Sequence, residues 1–305
     1  GLTRFGARAG GGGGAQQVPI QEPARSPTWM VAHGSAPDQE ALVEWHGHHG
    51  DSHPLGWWCV NRSNSHRAYF LIHIPKTAGE SFAADVRQVI PEHEGLFSSE
   101  ECWSSPRPML SGDERIAFLR EPVSQVYSMF LEDKYSIYRG RPGLFPQNIT
   151  VWLQFFEGGR KFQPFDHGFP IFNMQTRKMS CFDDLTQNQT NLMQAFKNLD
   201  SLFFVGITEH YQASLCLFFA KTHIGQPLPS FCDCTDQAAW ASFNGTHETH
   251  GEPPHSLSDL SEEDMRMIQE LVQLDVQLHA SALARFRYEA AEVERRTGTR
   301  ILCEG

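Results

Sequence analysis

The chain has 305 residues, 40% of them hydrophobic, which is enough to bury a sizeable core in one large domain or two modest ones and excludes wholesale disorder. With 25 Lys and Arg against 36 Asp and Glu, the formal charge is −11; this argues against a protein whose main business is coating nucleic acid. Any polyanion the chain handles must meet a local basic patch, and the 15 histidines make net charge depend on compartment pH.

Residues 1–65 carry the run Gly10 to Gly14, several prolines and little apolar periodicity, the composition of a flexible stem or linker. His46, His48, His49 and His53 lie close together there beside Trp57 and Trp58, but without paired ligand spacing they are not read as a metal site. From Arg67 the character changes. Ala68 to Ile74 is a short apolar, β-rich run of the kind buried in a parallel sheet. It ends at the turn Pro75-Lys76-Thr77-Ala78-Gly79-Glu80-Ser81, after which Phe82, Val86, Val89 and Ile90 show helical spacing.

A second unit repeats that plan. Arg115 to Arg120 reads as a strand, Pro122 sits where a first helical turn tolerates proline, and Val123, Val126, Tyr127 and Phe130 make an apolar face. Two such units imply a single α/β domain over residues 66–305, with a central parallel sheet and crossover helices. Further helices are expected over Val151 to Phe156 and Leu192 to Leu199. A third strand is expected over Ser201 to Gly206, then a helix from Glu209 to Lys221 with Thr208 as its N-cap. Residues 225–255 read as a long surface loop pinned through Cys232 or Cys234. Ser261-Glu262-Glu263-Asp264 resembles a capping box, and Met267, Ile268, Leu271, Leu274, Leu278 and Leu283 trace one face of one long helix.

No run approaches the roughly 20 apolar residues that span a bilayer, so a signal or anchor is expected either to lie outside this sequence or not to exist. Four Asn-x-Ser/Thr sequons, at Asn61, Asn148, Asn188 and Asn244, would be glycosylation acceptors in a secretory lumen. The seven cysteines are scattered rather than spaced for zinc and allow up to three disulfides with one thiol left over. Cys232 and Cys234 are too close to bridge each other comfortably, and a metal role for them with His247 and His250 is the weaker reading.

The chemistry concentrates at the two strand-to-helix turns. The first helical N–H groups lack intrahelical partners, and the helix dipole favours negative charge, so such a turn is a natural anion site. In the first turn Lys76 supplies a point charge, Gly79 allows close backbone approach, and Thr77 and Ser81 offer hydroxyls. The nucleotide-triphosphate pattern G-x-x-x-x-G-K-[ST] is absent, because Lys76 precedes Gly79, which argues against an ordinary ATPase or kinase. In the second turn Arg120 stands at the strand's carboxyl edge and Ser128 follows eight residues later, a second anion grip in the crevice where open α/β sheets bind ligands. Two grips point to a ligand with phosphates at both ends. Taken singly, Lys76 reads equally as a solvated loop lysine and Arg120 as a structural partner of Glu121 or Asp113; the matching contexts favour function.

These segments resemble a known family. His73-Ile74-Pro75-Lys76-Thr77-Ala78-Gly79-Glu80-Ser81-Phe82 looks like the 5′-phosphosulfate loop of the Golgi carbohydrate sulfotransferases, and Leu119-Arg120-Glu121-Pro122-Val123-Ser124-Gln125-Val126-Tyr127-Ser128 looks like their 3′-phosphate motif. Asn173-Met174-Gln175-Thr176-Arg177 is similar to a segment of the heparan sulfate 2-O and 6-O sulfotransferase relatives, as are Val205 to Glu209 with Ser214-Leu215. Glu80 stands where the family usually has Thr or Ser.

The resemblance implies a P-loop-like three-layer α/β fold and the co-substrate 3′-phosphoadenosine 5′-phosphosulfate (PAPS), with no metal. It places Lys76, Thr77, Ala78, Gly79, Glu80, Ser81 and Phe82 on the donor's 5′ end and Arg120 and Ser128 on its 3′-phosphate; Arg177 reads equally as a cofactor-binding residue lining the pocket and as a helix-surface residue. Lys76 would neutralise charge on the leaving phosphate, by analogy with phosphoryl transfer, and His93 between the two motifs is the expected base, flanked by Glu92 and Glu94. The expected activity is transfer of a sulfuryl group to a hydroxyl of a carbohydrate, a polysaccharide or glycosaminoglycan-like glycan included. The expected place is the Golgi lumen, as the lumenal part of a type II membrane glycoprotein. Arg139, Arg141, Arg160, Lys161, Arg177 and Lys178 are the basic positions that would meet an acidic glycan, and a solvated loop accounts for them equally well. The alternatives are protein-tyrosine sulfation, a divergent nucleotide kinase, and a non-catalytic glycan-binding remnant.

Overall fold

The computed structural model describes residues 58–60, 67–86, 89–91, 94–100, 102–103, 112–135, 146–156, 171–181, 190–246 and 252–303, all within one unit spanning Ala41–Gly305. Five strands form one sheet: β1 (Trp58–Val60), β2 (Ala68–Ile72), β3 (Gly95–Ser99), β4 (Glu114–Leu119) and β5 (Phe204–Ile207). Their order is β1-β3-β2-β4-β5, with β1 antiparallel at one edge and the other four parallel. The fold is therefore α/β with a central parallel sheet, as the two strand-turn-helix units imply. β1 falls inside the stretch read as stem, and β3 was not read as a strand at all; Gly95-Leu96-Phe97-Ser98-Ser99 is too small and short to carry a period.

The helices among the described residues are α1 (Gly79–Asp85), α2 (Pro122–Tyr135), α3 (Ile149–Gln154), α4 (Met174–Ser180), α5 (Leu192–Ser201), α6 (Tyr211–Thr222), α7 (Gln237–Ala241), α8 (Glu262–Leu271) and α9 (Gln273–Thr297). None is long and apolar enough to cross a membrane. Strand register places Tyr69, Leu71, Ile116, Phe118 and Phe204 on one face of the sheet. There Phe82 of α1 and Phe218 of α6 close an aromatic cluster, with Phe82 4.8 Å from Phe118 and edge-on to Phe218 at 5.4 Å. Ile72, Ala117, Leu119, Val205 and Ile207 alternate onto the opposite face and are also buried, which explains why these strands read as continuous apolar runs.

Several expected boundaries shift for tertiary reasons. The first helix begins at Gly79, inside the segment read as turn, and ends at Asp85. Ser201 closes α5 instead of opening a strand. Thr208 is not the N-cap of α6; it starts a 3-10 turn, and its hydroxyl donates to the carbonyls of Thr77 and Leu119 instead. The stretch 225–255 includes the short helix α7. The expected long C-terminal helix is two helices, because Asn173 enters the ladder at Val272: its N–H donates to the Leu271 carbonyl, and its Oδ1 accepts the N–H groups of Leu274 and Asp275. The Ser261–Asp264 capping box forms as expected.

Three disulfides occur among the described residues, Cys102–Cys181, Cys216–Cys232 and Cys234–Cys303. Cys232 and Cys234 thus bridge different partners, pin the loop as expected, and are unavailable to a metal. His247 and His250 lie outside the described residues.

Candidate functional site

Because the parallel strands share a direction, the carboxyl ends of β2, β3, β4 and β5 lie along one edge of the sheet. From β2 the chain passes to β3 on one side, while from β4 it passes to β5 on the other, so the sheet's switch point lies between β2 and β4. Lys76 and Arg120 stand on the segments leaving those two strands.

The loop from Ile74 to Gly79 is rigidly fixed. Lys76 and Ala78 adopt left-handed backbone at φ 62° and 67°, conformations that cost non-glycine residues energy and persist only when the surroundings hold them. Three consecutive carbonyls supply that hold. Pro75 O accepts from Gln125 Nε2 at 2.8 Å, Lys76 O from Arg120 Nη1 at 3.1 Å, and Thr77 O from Thr208 Oγ1 at 3.0 Å. The Thr77 hydroxyl turns inward to the Ile74 carbonyl at 2.8 Å. Gly79 is required for packing: a Cβ there would stand 2.3 Å from Cδ2 of the buried His73 ring. Of the predicted loop residues, Phe82 is wholly buried in the aromatic cluster and its N–H donates to the Ala78 carbonyl at 2.9 Å, so its side chain meets no ligand.

Lys76 is not a solvated lysine; its side chain is 9% exposed. Its ammonium donates to Glu252 Oε1 and lies 3.9 Å from Glu132 Oε2. The second oxygen of Glu252 accepts the Ser128 hydroxyl at 3.2 Å. Lys76 and Ser128, assigned from sequence to opposite ends of one nucleotide, therefore converge on a single carboxylate. Arg120 is pushed below its ordinary basicity by burial, against the opposing pull of Glu209, Glu252 and Glu121.

Arg120 is placed by its main chain. Gln175 Nε2 donates to the Arg120 carbonyl at 2.8 Å, and Gln175 Oε1 accepts the Arg120 N–H at 3.1 Å. Gln175 belongs to α4, whose first turn is capped by Asp275 of α9: Gln175 N–H, Thr176 N–H and the Thr176 hydroxyl all donate to its carboxylate. Burial raises the Asp275 carboxyl to about 6 despite those donors. Glu121 caps α2 with its own side chain, accepting the N–H groups of Val123 and Ser124. Its N–H in turn donates to Glu209, whose carboxyl burial would raise but which His279 and that N–H hold below its usual range.

The structure thus brings together Lys76, Arg120 and Ser128 with the loop from Thr77 to Ser81. His93 lies outside the described residues, as do Glu92, Arg139, Arg141, Arg160 and Lys161. Arg177 is buried on α4, and Lys178 is buried there with its ammonium donating to the Glu100 carbonyl; neither presents a basic surface to an acidic glycan. Sequence reasoning missed Glu252, Glu132, Gln125 and Asp275. Gln125 carried a signal, five residues after Arg120 on an otherwise apolar helix face; Glu252, beside Pro253 and Pro254 in a polar stretch, carried none. Comparison of the chain with protein-family models and with curated proteins returns no match.

Proposed function

We propose that the chain is a PAPS-dependent sulfotransferase acting on a carbohydrate hydroxyl, with the P-loop-like three-layer organisation that its two β-α units suggest. One observation carries the reading: Lys76 and Ser128, from separate β-α units, receive the same carboxylate at the switch point of a parallel sheet, beside Arg120. A carboxylate is an oxyanion held by a cation and a hydroxyl, so these residues fit an anionic ligand group.

In this reading Lys76 donates to the oxygen on which negative charge grows as the sulfur–oxygen bond to the donor's phosphate breaks. Arg120 and Ser128 hold the 3′-phosphate and so orient the sulfuryl group for in-line attack. His93 takes the acceptor's proton. The loop's fixed carbonyls keep Lys76 from having to reorganise during transfer.

Placement in the Golgi lumen is supported by the three disulfides, which belong to oxidising compartments. It is supported too by Asn148 and Asn244, sequon residues that are both exposed. The anchor, the acceptor glycan and its acidic character remain parts of the same proposal.

The test is calorimetric titration with 3′,5′-adenosine bisphosphate without metal, joined to transfer of radiolabelled sulfate from PAPS to immobilised glycans. Binding of the bisphosphate, with transfer abolished by Lys76→Ala, is the expected result. Binding of ATP only with Mg²⁺ would replace the reading by a kinase. Glycan binding that is donor-independent and survives Lys76→Ala and Arg120→Ala would replace it by a lectin-like remnant.

A further inference from the structure

Resting on that reading of the site, we infer that Glu252 is an internal competitor for the donor: its carboxylate occupies the anion-binding groups of the crevice and must leave them for the nucleotide to bind.

Three features require the displacement. The first is hydrogen-bond capacity. The Ser128 hydroxyl has one proton, now donated to Glu252 Oε2 at 3.2 Å; a phosphate oxygen only accepts, so the same hydroxyl cannot serve both. The second is charge. Lys76 already faces two carboxylates, Glu252 in direct contact and Glu132 at 3.9 Å, and the Glu252 charge also acts on Arg120. A phosphate carrying close to two negative charges cannot enter beside a carboxylate that keeps its place, since like charges in a site with little water repel strongly. The third is enclosure. The Glu252 side chain is only 5% exposed and that of Lys76 9%, so the two form an enclosed pair and not a surface ion pair.

Described residues near Glu252 in the sequence contact both β-α units. On one side the Thr246 N–H donates to both oxygens of Asp85 on α1 at 2.8 Å. On the other, Pro253 and Pro254 stiffen the chain up to His255, whose ring meets Tyr127 of α2 edge-on at 5.4 Å. The carboxylate's present position keeps Lys76 and Ser128 directed at an oxyanion before the nucleotide arrives. The apparent donor affinity is then the intrinsic affinity reduced by the fraction of molecules whose carboxylate has left.

The experiment compares the wild-type chain with Glu252→Gln and Glu252→Ala by titration with 3′,5′-adenosine bisphosphate at fixed salt, with thermal melts to show that each is folded. Tighter binding in both variants, by about tenfold or more in Glu252→Ala, is expected, with the KM for PAPS falling in step. Glu252→Gln preserves the side-chain volume and leaves Lys76 its Glu132 partner, so it carries the test if the alanine variant does not fold. Unchanged or weaker binding in folded variants overturns the inference while leaving the sulfotransferase reading intact. A collapse of kcat at unchanged donor affinity also overturns it, since Glu252 would then be the proton acceptor. If neither wild type nor variants bind the bisphosphate, the reading of the site falls and the inference with it.

Discussion

Gln175 grips Arg120 by both of its main-chain polar groups, donating to the carbonyl at 2.8 Å and accepting the N–H at 3.1 Å. The amide side chain thereby continues, for one residue, the pairing that β4 loses where its strand ends at Leu119. Arg120 is held just past the end of β4 by a residue that is itself fully buried.

Gln175→Ala should therefore misplace Arg120 without touching a ligand. It leaves the Arg120 N–H and carbonyl without that partner, at a cost of roughly 1–3 kcal/mol in unfolding free energy. The expected reading is a weaker affinity for 3′,5′-adenosine bisphosphate alongside a lowered melting temperature. A chain that loses stability but keeps its nucleotide affinity would show that Gln175 serves packing alone.

Arg120→Ala removes the donor to the Lys76 carbonyl at 3.1 Å and, in the proposed reading, the cation that meets the 3′-phosphate. Donor binding should weaken by about 2 kcal/mol or more, roughly thirtyfold, as expected for a charged hydrogen bond. Unchanged affinity by calorimetry would count against the site.

At Gly79, substitution by alanine tests packing of the loop. The added methyl would meet the His73 ring at 2.3 Å, so either the buried ring or the loop must shift. Overpacking of this kind costs about 1–3 kcal/mol, read as a lower denaturant midpoint. An alanine variant as stable as the wild type would show that the ring can move aside.

Asp275 gives the protein a pH-dependent stability. Its folded value of about 6 lies above its usual 3.8 because burial disfavours the charge. Between those values the folded chain binds more protons than the unfolded one, so this group's contribution makes the protein gain stability as pH falls through about 6 and level off below about 4. The span is on the order of 3 kcal/mol. Urea unfolding across that window should show this component in the wild type and lack it in Asp275→Asn; identical pH profiles would refute the assignment.

The sequence by itself determined the strand-turn-helix units beginning at Ala68 and Arg115 and the parallel sheet they imply. Continuous apolar runs identify strands buried on both faces, and a switch to helical spacing after each run identifies the helix that follows. It also singled out Lys76 and Arg120, charged residues just past strand ends, and Ser128 on the helix that follows, because strand ends and helix starts are local signals. The capping box at Ser261 was equally legible, its partners being three residues apart.

Only the tertiary structure decided what those groups meet. The grip of Gln175 on Arg120 spans 55 residues, the Asp275 cap on Thr176 spans 99, and Lys76 and Glu252 are separated by 176. The break between α8 and α9 is likewise invisible in a helical period that runs through it unbroken, because the residue that causes it, Asn173, arrives from another element. Hydrogen bonds and ion pairs between distant residues carry no period along the chain, so they become readable only once folding has brought their ends together.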